Sequence, residues 1–266
     1  MSDDEALLRR ALAALGPYRS ELVIVGAWAH RLFERHPLLA CPLGHSPLMT
    51  EDADLASPAK LAIIGDPIPQ RLADAGFDQR LTGTGPLPVM KFFARESNGF
   101  YIELIAPLIG GDSDRDGEPR TLVTVGGATA QLLRHVELLR FETWELELGD
   151  GVVARIANPA SYLVQKILTR REGAGRDKYG KDLLYIHDTL LMFGPRLHEF
   201  RPLATRVLAQ LPPKLAAKVR SFVFTSYPER LARAAEIALA TGRPYPPDAT
   251  AIANTCRVGF GTLFGS

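Results

Sequence analysis

Apolar residues recur three and four apart at the start of the chain, where Leu7, Leu8, Ala11, Leu12 and Leu15 share one helical face. Ser2 with Glu5 gives a capping-box pattern before them, and Gly16-Pro17 ends the element. The run Glu21-Leu22-Val23-Ile24-Val25 is short, apolar and β-rich, so it predicts a strand closed by Gly26. Ala27 to Arg35 predicts a helix that stops before Pro37. A loop with Pro42, Gly44 and Pro47 leads to Thr50-Glu51-Asp52-Ala53-Asp54-Leu55, where polar and apolar residues alternate as in a strand.

Further along, Gly65-Asp66-Pro67 is a turn signal. Val89 to Arg95 and Phe100 to Ile105 predict a strand pair joined by Ser97-Asn98-Gly99, in which Asn-Gly suits a hairpin. Gly110 to Arg120 is polar and glycine-rich, as in a surface loop. Val123 to Val125, Glu142 to Leu148 and Val152 to Ile156 predict more strands. The periodicity then becomes helical: Asn158-Pro159 is a helix start, with a cap residue and Pro at the first helical position. The helical pattern runs to about Ala240, and Pro244, Pro246 and Pro247 predict an irregular tail from Thr241. The expected architecture is α+β, with a small mixed sheet and flanking helices in residues 1–157 and a mainly helical part in 158–266.

Composition narrows the functional classes. The chain has 266 residues, 46% of them hydrophobic and 23% charged, as in an ordinary globular protein. A formal net charge of +1 gives no global field to attract nucleic acid or an anionic membrane, so any basic site is local. Cys41 and Cys256 are the only cysteines, with neither CxxC spacing nor clustered histidines, which speaks against a zinc site or disulfide framework. No apolar run approaches the roughly 20 residues that span a bilayer. The acidic start Met1-Ser2-Asp3-Asp4-Glu5 lacks the basic region of a secretory signal. A cytoplasmic protein without a membrane partner is expected.

Side chains two apart on a strand share a face, so Asp52 and Asp54 point the same way if Thr50 to Leu55 is extended. Two such carboxylates repel unless a cation sits between them or one is protonated. A hard divalent ion such as Mg²⁺ or Mn²⁺ would resolve the conflict, although a lone DxD also fits a solvated acidic turn. Val23-Ile24-Val25-Gly26-Ala27 is a strand that turns at glycine straight into a helix, which lets a phosphate approach the backbone. Glu103 interrupts the apolar strand Phe100-Tyr101-Ile102-Glu103-Leu104-Ile105, so it faces solvent or joins a charged site. Val123-Thr124-Val125-Gly126-Gly127-Ala128 repeats the strand-glycine-helix look, and Glu145 and Glu147 repeat the paired acids. These lie among Trp144, Leu146 and Leu148, the pattern of a half-buried strand with an acidic solvent face, and are read as structural.

A glycine turn opening a helix, then T-x-D-x-D on a strand, then an acid on a later strand, resembles the DNA polymerase β-like nucleotidyltransferase superfamily. The likeness is nearest its bacterial abortive-infection, type IV toxin-like members. It continues in Asn158-Pro159, Tyr162, Lys166 and Arg170, then Lys178-Tyr179-Gly180-Lys181-Asp182-Leu183, and covers about residues 20 to 190. The resemblance implies that Asp52 and Asp54 hold Mg²⁺ or Mn²⁺, with Glu103 as third ligand and a candidate proton acceptor. Gly26, Ala27 and Thr50 would border the triphosphate of an NTP; Lys166 and Arg170, four apart on one helix face, and Lys181 could receive its phosphates or form a solvated face. An NMP would pass to an acceptor, an RNA end, a protein or a small molecule, with release of pyrophosphate. Ala27 stands where a second small polar or glycine residue is usual, Met49 where a basic residue often precedes Thr50, and Glu103 where aspartate is usual. These departures leave a second reading open: a catalytically silent relative that binds a nucleotide or a partner, as in a toxin–antitoxin pair. A metal-dependent hydrolase is a third. His187, on the helix from Lys181, reads as a satisfied histidine rather than a catalyst.

Overall fold

The computed structural model describes residues 3–48, 50–82, 88–97, 99–111, 113, 117, 120–169 and 176–265. The chain divides into two compact units, Met1–Ala29 with Thr50–Asn158, and His30–Met49 with Pro159–Ser266. Met49, Asn98, Arg170, the glycines of 173–175 and most of the polar loop at 110–120 lie outside the described residues, as does the Ser2 half of the capping box.

The first unit is built on a mixed sheet. Its strands are β1 (Val23–Ile24), β2 (Asp52–Ala56), β3 (Phe77–Thr82), β4 (Val89–Ala94), β5 (Tyr101–Pro107), β6 (Leu122–Val125), β7 (Ala128–Leu133), β8 (Trp144–Glu147) and β9 (Val153–Ile156). Their order is β3-β4-β5-β2-β1-β9-β8, with β7 beside β5 and β6 beside β7. The central strand is β5, which pairs parallel with β2 and antiparallel with β4, and parallel with β7 beyond its middle. Val23, Val25, Ala56, Ile105, Val136, Leu139 and Ala157 form a buried cluster on this sheet. Helix α1 (Asp3–Ala14) buries Leu7, Leu8, Ala11 and Leu12, the face read from their spacing. Helix α2 (Gly26–Phe33) starts directly after Val25.

The periodicity missed several elements, α4 (Val136–Leu139) among them. A short helix, α3 (Ile68–Asp74), and the edge strand β3 carry few apolar positions, since β3 buries only Phe77. The segment after Gly126-Gly127 is a strand, not the helix its sequence imitates. Both glycines have positive φ, +55° and +84°, the conformation of a two-residue hairpin turn, so β7 returns antiparallel along β6. Side chains there would also collide, since a Cβ on Gly126 would lie 2.6 Å from Ile68 Cδ1. The later acids behave as expected: Glu145 and Glu147 are exposed on β8 and Leu146 is buried.

The second unit is helical, with α4 (Val136–Leu139) left behind in the first. It comprises α5 (Pro159–Leu168), α6 (Arg176–Phe193), α7 (Arg201–Ala209), α8 (Pro213–Arg220), α9 (Pro228–Ala240) and α10 (Ala249–Phe264). Gly180 lets α6 and α9 approach closely, since a Cβ there would lie 2.8 Å from Ile237 Cδ1. The tail expected to be irregular from Thr241 is so only to its last proline turn. Asp248 then caps α10, its carboxylate accepting from the Ala251 amide at 2.7 Å. Cys41 is exposed, Cys256 is buried, and neither is in a disulfide. Among the described residues no helix is long and apolar enough to cross a membrane.

Candidate active site

Parallel pairing of β2 with β5 sets Asp52 against Tyr101 and Asp54 against Glu103. Ala53 and Leu55 go to the core, leaving Asp52 and Asp54 half-buried on the opposite face. Glu103 shares that face and is buried. The three acids expected to act together therefore lie on adjacent strands of one face.

The α2 start meets the same face. Gly26 has φ +64°, and a Cβ on it would lie 2.5 Å from Asp54 Oδ2, so the carboxylate occupies the space that only glycine leaves. The Val25 amide donates to the Asp54 carbonyl at 3.0 Å, tying the strand end to the helix start. Ala27 is buried behind it. Thr50 donates from its hydroxyl to the Asp52 carbonyl at 3.3 Å, stiffening the entry to β2.

Two residues that the sequence reading passed over complete the face. Antiparallel registers place Lys91 of β4 opposite Glu103 and Arg80 of β3 opposite Lys91. One row across four strands thus reads Asp54, Glu103, Lys91, Arg80. Lys91 Nζ lies 3.6 Å from Glu103 Oε2, donates to the Tyr101 hydroxyl at 2.9 Å, and sits 4.2 Å from the centre of that ring. The Arg80 guanidinium stacks over Phe93, 4.5 Å from its centre. The expected hairpin between Val89 and Ile105 brought these strands together, but the register that sets Lys91 opposite Glu103 depends on the length of the loop between them.

Burial pushes the Glu103 carboxyl above the usual carboxylate range. Lys91 pulls the other way, and the nearby charge of Asp52 adds to the rise. The Tyr101 phenol is likewise raised, by burial first, with the Lys91 hydrogen bond opposing and Asp52 adding. Burial disfavours the Lys91 ammonium, but the bond to Tyr101 and the charge of Glu103 outweigh it and hold its pKa high. In kind, these hard oxygen donors suit a hard divalent cation, and the field of Asp52 on its neighbours is one that such a cation relieves. Among the described residues, however, no three His, Cys, Asp or Glu side chains converge as metal ligands, in keeping with Glu103 being turned to Lys91.

The basic residues assigned to phosphates belong to the second unit. Lys166 is held by Asp182 at 2.6 Å, with its ammonium over the rings of Tyr162 and Tyr185. Lys181 is exposed, and Arg170 lies outside the described residues. His187 is buried and bonded to Asp188 at 2.9 Å, so it is satisfied, as expected.

A family model described as "Nucleotidyltransferase" matches residues 4–207 of the chain. No curated protein matches it.

Proposed function

The chain belongs to the nucleotidyltransferase family, and from that premise we propose that its sheet face transfers an NMP from an NTP to an acceptor hydroxyl, releasing pyrophosphate. The observation that carries this reading is the β2–β5 register, which sets Asp54 beside Glu103 and Asp52 on the same face, with Gly26 against Asp54. That layout supports a placement in the DNA polymerase β-like superfamily, near the abortive-infection, toxin-like members, with the site in the first unit, Met1–Ala29 with Thr50–Asn158.

Asp52 and Asp54 would hold Mg²⁺ or Mn²⁺, with Glu103 beside them. The ion would neutralise the charge that develops on the phosphoryl oxygens. Gly26 and Ala27 open α2, whose first amides point outward and favour an anion, so this end of the helix receives the triphosphate. Thr50 borders it. Of the cations assigned to phosphates, Lys181 is exposed and Lys166 is paired with Asp182. The new bond forms between the acceptor oxygen and the α-phosphorus as the bond to the pyrophosphate oxygen breaks. Glu103, lifted by burial towards a pKa better suited to proton transfer, accepts the acceptor's proton.

The test incubates the protein with Mg²⁺ and each labelled NTP, with cellular RNA or protein as acceptor, beside an Asp52→Ala/Asp54→Ala variant. Transfer by the native protein and its loss in the variant is the expected result. Transfer that survives both substitutions would overturn the site. Nucleotide binding without transfer identifies a silent relative, and phosphate release without transfer a hydrolase.

A further inference from the structure

The face that carries Asp52, Asp54 and Glu103 continues across β4 and β3, where its side chains turn from acidic to aromatic and basic. Resting on the nucleotidyltransferase reading of this face, we propose that its β3–β4 end seats the acceptor and that the acceptor ends in a nucleotide. The base stacks on the pair made by Phe93 and Arg80, and the phosphate takes the edge of the Arg80 guanidinium.

Register lays out two neighbouring rows across the strands. One reads Asp54, Glu103, Lys91, Arg80 and the other Asp52, Tyr101, Phe93, Asp78. Phe92 and Ile102, one position along, are fully buried, so Phe93 and Tyr101 point away from the core, and both are only partly covered. Their ring centres lie 4.9 Å apart, which braces Phe93 against the strand that holds Glu103. Arg80 is exposed, with its guanidinium 4.5 Å from the centre of the Phe93 ring. A guanidinium over a ring offers a base a stacking surface and keeps its N–H fork for a phosphate. Lys91 is engaged by Glu103 at 3.6 Å and by the Tyr101 hydroxyl at 2.9 Å, so the phosphate falls to Arg80. Asp78, at the end of the second row, is bonded to Arg95 at 2.7 Å.

Charge sets the direction in which such a ligand lies. Carboxylates repel a phosphate and Arg80 attracts it, so the phosphate goes to β3 and the terminal hydroxyl to the acids. Glu103 and Arg80 are two strand spacings apart, about 10 Å between backbones, which one nucleotide and the side chains reaching for it can span. A protein acceptor would bring a hydroxyl but neither a base for Phe93 nor a phosphate for Arg80. The end of a single-stranded RNA and a free nucleotide share the chemistry required. A formal net charge of +1 agrees with a footprint of this short, local kind.

Binding is read apart from transfer, by fluorescence anisotropy of a 5′-labelled single-stranded RNA of about 12 nucleotides and by its competition with AMP. Arg80→Gln is expected to weaken the RNA about tenfold and to lower the slope of log Kd against log salt by about 0.7. Phe93→Leu should weaken it about 5- to 100-fold, whereas Phe93→Tyr, which keeps the ring, should bind as the native chain does. Affinity for an α,β-methylene NTP analogue should not move in Arg80→Gln, because the triphosphate belongs at the start of α2. AMP that competes at the RNA's own Kd supports the free nucleotide as the source, and RNA far tighter than AMP supports the RNA end. Binding that is absent, or that both Arg80→Gln and Phe93→Leu leave unchanged, would overturn the inference. So would loss of the NTP analogue in Arg80→Gln, or labelling of a protein acceptor with none of RNA or AMP. Binding that follows Arg80 and Phe93 with no acceptor labelled would instead sink the transferase reading and leave the nucleotide platform standing.

Discussion

Charges gather in two regions of this protein, and they are handled in opposite ways. Among the described residues of the helical unit, Asp188 pairs with Arg243 and Lys166 with Asp182. Asp188 is fully buried and takes a two-pronged bond from Arg243, at 2.8 and 2.7 Å, plus the contact with His187. On the sheet face of the other unit, Asp52, Asp54 and Glu103 gather on adjacent strands, and Lys91 pairs with Glu103. One-to-one pairing of buried charges marks a structural network, whereas several carboxylates gathered on one half-buried face, with a carboxyl shifted by burial among them, mark a candidate ligand site.

The largest break in this comparison should come from the sheet face. Asp52→Ala/Asp54→Ala is expected to lower nucleotidyl transfer by at least about 10³-fold, the scale of losing key transition-state stabilisation. Its urea midpoint should stay level or rise, since the substitutions relieve like-charge repulsion. Arg243→Ala should do the reverse. Leaving Asp188 buried without its partner is expected to cost about 3–5 kcal/mol in urea unfolding.

Acid should next unsettle the helical unit in two stages. Burial holds the His30 imidazole at about 4, against an ordinary 6.5, with the charge of Asp188 opposing. The unfolded chain therefore takes up that proton first, and stability falls as pH drops from about 6.5 to 4, by on the order of 3 kcal/mol. Asp188 is held at about 2: burial would raise it, but the bonds from His187 and Arg243 win. Its contribution is intact above about pH 4 and is lost as pH falls through 2. Melting temperature against pH checks both, and His30→Phe should erase the upper stage alone.

Gly26→Ala should cost about 1–2 kcal/mol from its left-handed backbone. It should also reduce transfer about tenfold or more by pushing Asp54 aside, which a steady-state assay with purified variant reads directly. The smallest effect is expected at α10, where Asp248→Ala should remove about 1 kcal/mol of capping in thermal unfolding and leave transfer unchanged.

Much of the candidate site was legible from residue order. Alternation over Thr50 to Leu55 placed Asp52 and Asp54 on one face, and the lone acid in Phe100 to Ile105 marked Glu103. Lys91 was overlooked because a lysine on a half-apolar strand looks like any solvated residue until its cross-strand partner is known. Gly126-Gly127 misled towards a helix because a glycine after a short strand opens either a helix or a hairpin. Steric fit against Ile68 and Pro67 goes with the second choice here.

By itself the sequence determined what repeats locally: the helical face of Leu7 to Leu12, the paired acids of β2, the start of α5 at Asn158-Pro159. Periods of two and 3.6 follow from backbone geometry and need no distant partner. Only the tertiary structure decided which strand lies beside which, and with it the pairing of Asp54 with Glu103 and of Glu103 with Lys91. It likewise closed Asp188 onto Arg243, 55 positions away. Those choices belong to register and burial, where a charge finds its partner only after the chain has brought distant segments together.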